Sequence, residues 1–192
     1  LDVEEQIDYV IIELRAQAVP GVLRDCIEKG VKIAHLYSSG FSETGMQERI
    51  ELENEVREIA RGRIRLIGPN CMGVYCPKSG LSLYPKASTE EGSVAVVSQS
   101  GTFAESFSAI SHIRNIRFSK VVSYGNGIDL DCPDFLEYLA EDPETKVIAL
   151  YIEGTRNGER LKSALEKAAG EKPVVALKGG ITGHGTRAAS SH

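Results

Sequence analysis

Three polar segments in the second half of the sequence contain residue types that together could move a phosphoryl group. Residues 98–101 (SQSG) follow a Val-rich run and precede a helical pattern, so free backbone N–H groups and a helix dipole would converge there on a phosphate or carboxylate. Glu153 follows an apolar run, and His192 follows a glycine-rich stretch. An imidazole nucleophile, a carboxylate that fixes its tautomer and an anion-binding helix end are the groups that phosphoryl transfer through histidine requires.

Each of these segments also has a purely structural interpretation. A Ser-Gln-Ser-Gly turn can cap a helix without binding a ligand, and Glu153 at a strand end can simply be solvated. His184, which lies between two glycines of the same stretch, is an alternative to His192 on spacing alone. We interpret the other two histidines, His35 in a predicted strand and His112 at a predicted helix end, as structural.

Two further clusters resemble metal sites only superficially. Asp129, Asp131 and Asp134 are spaced like a calcium or magnesium loop, but the glycine and distal glutamate of an EF-hand are missing, which favours helix capping. Cys71 and Cys76 are five residues apart, with no second close pair and no histidine nearby, so a zinc site is not indicated. The sequence therefore predicts no metal site.

Strands and helices alternate along the whole chain, which predicts parallel sheets connected by right-handed crossovers and an α/β fold. The predicted strands cover residues 7–14, 31–37, 64–67, 93–97, 116–123, 146–152 and 174–177, with a short strand at 74–76. The predicted helices begin near residues 20, 46, 102 and 158, and a fifth is capped by Asp131.

A segment rich in Pro, Gly, Ser and charge, residues 77–92, lacks periodicity and indicates a crossing between two domains. We predict a first domain over 1–84, a linker over 85–92 and a second domain over 93–192. The G-x-G-x-x-G turn of a complete Rossmann unit is absent from residues 1–30, and we expect it upstream of Leu1. The missing initial methionine likewise suggests a piece of a longer polypeptide.

The composition argues against nucleic-acid-binding and membrane-spanning proteins. A chain with 42% hydrophobic and 26% charged residues is typical of a globular protein, and a net charge of −5 argues against a nucleic-acid-binding face. No apolar run is long enough to span a bilayer, and no signal peptide is recognisable. The four scattered cysteines are expected to be free thiols, so we predict a cytoplasmic protein without a membrane partner.

Five motifs occur in order along nearly the whole chain: GPNCMG at 68–73, SQSGT at 98–102, GN at 125–126 with Asp129, YIEG at 151–154 and AASSH at 188–192. Together they resemble the nucleoside-diphosphate-forming acyl-CoA synthetases. That family includes the ADP-forming acetyl-CoA synthetases and the α subunit of succinyl-CoA synthetase, and the ADP-forming branch is the most similar.

The resemblance implies a fold and an activity. The fold would be a truncated Rossmann-like CoA-binding domain followed by a flavodoxin-like doubly wound domain. The reaction would be acyl-CoA + phosphate + ADP ⇌ carboxylic acid + CoA + ATP, through an acyl phosphate and a phosphohistidine, with a small carboxylic acid as substrate. Magnesium and ADP or ATP would bind an ATP-grasp β subunit or domain, and an oligomer is expected.

The resemblance also implies roles for seven residues of the matching motifs. They are His192 as the phosphorylated nucleophile, Glu153 as the carboxylate that steadies it, Ser100, Gly101 and Thr102 as the phosphate site, and Asn70 and Cys71 beside the CoA thiol.

The sequence differs from the family pattern at two places, and two other function classes stay open. Residues 13–16 replace a proline that relatives carry after the first strand, and the Thr-Gly expected after His192 is not in this chain. One alternative is a non-catalytic acyl-CoA-sensing module of a larger protein. The other is an unrelated flavodoxin-like domain in which residues 98–101 hold a flavin phosphate, although the Gly/Ser-rich last loop fits this poorly.

Overall fold

The computed structural model describes residues 3–84 and 87–181, which form two sheets flanked by helices. The elements of the first half are β1 (Tyr9–Ile12), α1 (Val19–Lys29), β2 (Ile33–Leu36), α2 (Gln47–Ala60) and β3 (Arg65–Ile67). Their three strands pair in parallel in the order β1-β2-β3. In α1, Pro20 lies in the first turn and Gly30 ends the helix with a left-handed φ of 81°, as the sequence predicts.

The second half forms a five-stranded sheet. Its elements are β4 (Gly73–Tyr75), β5 (Val94–Ser98), α3 (Gly101–Ile113), β6 (Phe118–Ser123), α4 (Cys132–Glu141), β7 (Val147–Ile152), α5 (Gly158–Glu171) and β8 (Val174–Lys178). The strand order is β4-β6-β5-β7-β8, and every pair except β4–β6 is parallel. The order β6-β5-β7-β8 is that of a flavodoxin-like sheet, so the predicted α/β doubly wound class is confirmed.

Strand β4 follows the three strands of the first sheet in sequence, but it belongs to the five-stranded second sheet. It follows the loop after β3 and pairs antiparallel with β6, with Gly73 opposite Ser123 and Tyr75 opposite Val121. The sequence predicts a short strand here within a first domain that extends to residue 84. In the structure the two sheets divide between Ile67 and Gly73, well before the predicted linker.

Two of the three aspartates around the start of α4, Asp131 and Asp134, cap the helix. The Asp131 carboxylate accepts from the Cys132 N–H at 2.7 Å, and Asp134 accepts from the Asp131 N–H at 2.9 Å, which completes a capping box. Asp129 instead binds Arg65 of β3 with both carboxylate oxygens. The capping prediction is confirmed for Asp131 and Asp134 and is wrong for Asp129. Within the described residues, no group of three or more His, Cys, Asp and Glu side chains is placed to hold a metal ion.

The two halves are joined along a continuous strip of backbone that follows β6. Three hydrogen bonds link this strip to β3 and the loop that follows it: Asn126 N to Pro69 O at 3.0 Å, Ile128 N to Gly68 O at 3.1 Å and Leu130 N to Leu66 O at 3.2 Å. The Ile128 side chain is buried in the apolar core of the first half. The carboxyl ends of both sheets therefore face each other at a fixed junction.

None of the helices in the described part of the chain has the length and apolar character needed to cross a membrane.

Candidate functional site

A cleft of about 1090 Å³ lies where the carboxyl ends of the two sheets meet. The first half contributes loops that follow its three strands, and the second half contributes the turn from β5 into α3 and the loops after β6 and β7. Its lining is residues 13–15, 37–39, 42, 43, 45 and 70–72 from the first half, and 99–102, 105, 125, 126 and 153 from the second. In open α/β sheets this end of the strands is where ligands bind.

The turn from β5 into α3 presents backbone donors to the cleft. The Ser100 hydroxyl accepts from the Phe103 N–H at 3.2 Å and so caps α3, while the Ser98 hydroxyl donates to the Ser100 carbonyl at 2.7 Å. Among residues 3–84 and 87–181, no acceptor forms a hydrogen bond with the Gly101 or Thr102 N–H. The first N–H groups of α3, a helix of 13 residues, thus face the cleft. This arrangement is suited to binding an anion.

Glu153 is held next to this turn. The side-chain oxygen of Gln99 accepts from the N–H groups of both Glu153 and Gly154, at 2.9 Å each. The Tyr151 hydroxyl donates to Glu153 Oε1 at 3.0 Å, and both partial burial and this bond raise the pKa of Tyr151, so the hydroxyl keeps its proton. Because β5 lies between β6 and β7, these loops flank the topological switch point of the sheet.

The loop after β3 forms the opposite wall and is tightly constrained. Gly68 and Asn70 have left-handed φ values of 100° and 59°. The Cys71 side chain is buried, which raises its pKa to about 12 and keeps the thiol protonated. Behind it, the His35 ring lies with Nε2 3.2 Å from the Cys71 carbonyl, and burial lowers the pKa of that imidazole. His35 therefore stays neutral and supports the loop from behind.

The six predicted site residues that the structure describes all line this one cleft: Asn70, Cys71, Ser100, Gly101, Thr102 and Glu153. The predicted nucleophile His192 and its alternative His184 lie outside the described residues. The donors at the start of α3 fit a phosphate, and the cleft wall formed by the first half is the side on which the CoA thiol is expected. The roles of these residues stay predictions.

Comparison with protein families identifies the two halves. Residues 1–77 match the model of a CoA binding domain, and residues 91–192 match that of the succinyl-CoA ligase like flavodoxin domain. The chain belongs to the nucleoside-diphosphate-forming acyl-CoA synthetase family. The resemblance given by the five motifs is thereby confirmed, and the family's two domains correspond to the two walls of the cleft.

Several relatives in this family are described as ADP-forming ligases, and they are longer than this chain. The Acetate–CoA ligase [ADP-forming] of Methanocaldococcus jannaschii is 44% identical over 100% of this chain, which covers 27% of that protein. The α subunit of Acetate–CoA ligase [ADP-forming] II of Pyrococcus furiosus is 40% identical over 100% of this chain, which covers 42% of the subunit. The chain thus spans about a quarter to two fifths of these relatives.

A solved structure of the family has the same fold. The dinucleotide forming acetyl-coenzyme A synthetase 1 of Ca. Korarchaeum cryptofilum, in complex with phosphate and ADP, superposes with a TM-score of 0.90 at 36% identity. The superposition covers 100% of this chain and 41% of the other.

Sequence reasoning missed a group of residues that binds the two halves together beside the cleft. We call this group the clasp; it consists of Ser42, Glu43, Glu53, Asn126 and Arg156. Only Asn126 belongs to a motif that the sequence singles out. Glu53 in particular is a charged residue on a predicted amphipathic helix, where a solvated side chain is the ordinary expectation.

Proposed function

We propose that this chain is the CoA-binding and phosphohistidine-carrying part of an ADP-forming acyl-CoA synthetase. The full enzyme would interconvert acyl-CoA, phosphate and ADP with a carboxylic acid, CoA and ATP. The observation that carries the proposal is the cleft in which the Gly101 and Thr102 N–H groups, the Glu153 carboxylate and the loop at 70–72 face one volume.

In the first step, phosphate bound at the start of α3 attacks the thioester carbonyl of acyl-CoA. A carbon–oxygen bond forms, the carbon–sulfur bond breaks, and CoA leaves as a thiol that takes a proton from the phosphate. The helix N-terminus at Gly101 and Thr102 stabilises the phosphate charge through its backbone N–H groups and the dipole. Asn70 and Cys71, on the opposite wall, border the position of the thiol.

In the second step, an imidazole nitrogen of His192 attacks the phosphorus of the acyl phosphate, and the carboxylate leaves. Glu153 accepts a hydrogen bond from the other ring nitrogen, which fixes the tautomer and stabilises the charge that develops on the ring. Gln99 and Tyr151 hold Glu153 ready for this role. In the third step, a terminal oxygen of ADP takes the phosphoryl group from the histidine and forms ATP.

The nucleotide step requires a module outside this chain. A phosphate- and ADP-bound relative that is more than twice as long supports a nucleotide site elsewhere in the complete enzyme. We assign ADP or ATP with Mg²⁺ to an ATP-grasp domain or subunit, and a small carboxylic acid to the cleft.

The test is phosphorylation of the complete enzyme, with its ATP-grasp part, by labelled ATP and Mg²⁺. We expect acid-labile, base-stable label on His192, located by peptide mass spectrometry and discharged by acetate plus CoA. His192→Asn should abolish the label, and His184→Asn is the matched control. Label on His184 would overturn the choice of residue. An unlabelled enzyme that still binds CoA esters would replace the proposal with an acyl-CoA-sensing module.

A further inference from the structure

Glu53 of α2 is a buried carboxylate with an unusual number of donors. Its residue exposure is only 3%, although glutamate is among the residues most rarely buried. The Oε2 atom accepts from the Ser42 hydroxyl at 2.6 Å and from the Ser42 N–H at 3.3 Å. A buried carboxylate is tolerated only when its oxygens are paired in this way, so the position demands a specific set of partners.

Two further partners of Glu53, Asn126 and Arg156, belong to the second domain. The Asn126 side-chain nitrogen donates to Glu53 Oε2 and to Glu43 Oε2, at 2.8 Å each. One amide nitrogen thus uses its two hydrogens to hold two carboxylates of the first domain together. Arg156 lies 3.4 Å from Glu53 Oε1 and supplies positive charge beside them, while its guanidinium also donates to the Asn126 carbonyl at 3.2 Å.

The clasp acts directly on the walls of the cleft. Ser42, Glu43 and Asn126 line the cleft, whereas Glu53 and Arg156 stand behind them. Glu43 in turn accepts from the Phe41 N–H at 3.1 Å and from the Gly40 N–H, so it fixes the loop after β2. The loop of the CoA-binding domain is therefore tied to the loop after β6, beside which the phosphate-binding turn begins.

A second cross-domain ion pair serves as a comparison. Arg65 binds Asp129 through two hydrogen bonds of 2.9 and 3.2 Å, and neither residue lines the cleft. Both contacts join the same two domains. Only the clasp, however, shapes the cleft wall.

We infer that Glu53 is a positioning residue: through Ser42 and Asn126 it sets the distance between the wall that holds CoA and the turn that holds phosphate. The inference rests on the proposed function. In a reaction between groups held on two domains, a displacement of about 1 Å costs roughly 10²-fold in rate. Because relative domain motion is the ordinary expectation at small interfaces, such a device determines how often the two substrates are aligned.

The test isolates the step that needs both walls. By the first step of the proposed mechanism run in reverse, the complete enzyme should convert acetyl phosphate and CoA into acetyl-CoA and phosphate without using His192 or the nucleotide site. The rate of acetyl-CoA formation then reports the alignment of the two walls. In Glu53→Gln, one acceptor oxygen becomes a donor and the charge is lost, so Arg156 or Asn126 loses its partner. We expect kcat for this half-reaction to fall at least tenfold.

Three readouts separate positioning from a merely structural role. The Kd for CoA by calorimetry and the extent of histidine phosphorylation by ATP should each stay within twofold of wild type. The control Arg65→Gln, which removes the other cross-domain pair, should lower the melting temperature without slowing acetyl-CoA formation. If Glu53→Gln forms acetyl-CoA at the wild-type rate, or Arg65→Gln slows it equally, the inference is wrong.

A second variant keeps the inference testable if Glu53→Gln does not fold. Arg156 is 44% exposed in its side chain, so Arg156→Gln should fold while it removes the positive charge that the second domain places beside Glu53. Arg57 of α2, 3.8 Å from the same carboxylate oxygen, stays in place. Arg156→Gln should also slow acetyl-CoA formation with the CoA affinity unchanged, and an unchanged rate would overturn the inference. A wild-type enzyme that neither forms acetyl-CoA nor takes label from ATP would instead contradict the proposed function.

Discussion

The side-chain oxygen of Gln99 lies 2.9 Å from the backbone nitrogen of Glu153 and accepts its hydrogen. It accepts the Gly154 N–H at the same distance, so one side chain at the end of β5 holds the loop at the end of β7. This side chain therefore fixes the position of Glu153, the carboxylate proposed to steady the phosphohistidine, relative to the turn proposed to bind phosphate.

Replacement of Gln99 by leucine should reduce activity more than stability. The acceptor for two N–H groups is lost, and the Glu153 loop is free to move relative to α3. We expect kcat of the complete enzyme to fall about tenfold or more, as misplaced catalytic groups do. Gln99→Glu retains an acceptor oxygen and should recover part of the rate, while Gln47→Leu on the exposed face of α2 is the surface control. Equal rates for Gln99→Leu and wild type would contradict this role.

Gly125→Ala should prevent stable folding. A Cβ at this position would lie 2.1 Å from the Pro69 carbonyl oxygen and 2.4 Å from that of Asn70, and φ is +55°. Because backbone cannot yield at the junction of two sheets, we expect the free energy of unfolding to drop by more than about 4 kcal/mol, measured by urea denaturation. Gly170→Ala in α5, where a Cβ meets nothing within 4 Å, should instead stabilise by about 0.5–1 kcal/mol.

Cys71 should resist alkylation although it lines the cleft. Burial raises the pKa of its thiol to about 12, so at pH 8 only about one molecule in ten thousand carries the thiolate. In the folded protein, iodoacetamide should therefore modify the partly exposed Cys76 well before Cys71, as measured by peptide mass spectrometry. Guanidinium-unfolded protein, in which all four thiols react, is the control. Equal labelling of Cys71 and Cys76 in the native state would show that the thiol is accessible and ionised.

Asp142 should make the fold acid-sensitive. Burial alone would raise the pKa of this carboxyl, but hydrogen bonds from Lys120 at 2.8 Å and Thr145 at 2.6 Å lower it below its ordinary value. A carboxylate with a lowered pKa in the folded state adds stability above its unfolded pKa, and this stability is lost as the pH falls through the folded value.

The measurement is the free energy of unfolding as a function of pH for wild type and Asp142→Asn. At pH 7 the variant should be less stable by about 2 kcal/mol, and the gap should shrink as the pH falls from about 5 to 3. Glu141→Gln, which removes an exposed ion pair with Lys167, should change stability far less than Asp142→Asn does. A gap that does not depend on pH would mean that Asp142 contributes no charge-dependent stability.

Local sequence signals were sufficient to predict the helices and strands, and to predict which motif residues line the cleft. Hydrophobic runs predict every strand of both sheets, with ends that differ by a few residues; β1, predicted over 7–14, pairs only over Tyr9–Ile12. Asp131 with Pro133 predicts the start of α4 correctly, because capping depends on residues within one turn. Asn70, Ser100 and Glu153 follow strands of parallel sheets, where the topology alone brings them to one edge.

No local sequence signal predicts the contacts between the two domains. Glu53 meets Asn126 and Arg156, which are 73 and 103 residues away, so no spacing in the sequence relates them. The pairing of β4 is of the same kind, since a strand of only three residues carries no periodicity that could reveal its partner. These features depend on the tertiary arrangement and emerge only from the structure.

The crossing of β4 into the second sheet has a consequence for how the molecule can be divided. A protease cut between residues 77 and 92 would leave the N-terminal piece holding the edge strand of the other piece's sheet. The two pieces would then stay associated, as complementing fragments do. If they were forced apart, the released piece would expose the bare edge of β6, with its row of unpaired N–H and C=O groups ready to recruit a strand from another molecule. An independently soluble second half would therefore have to begin ahead of Gly73.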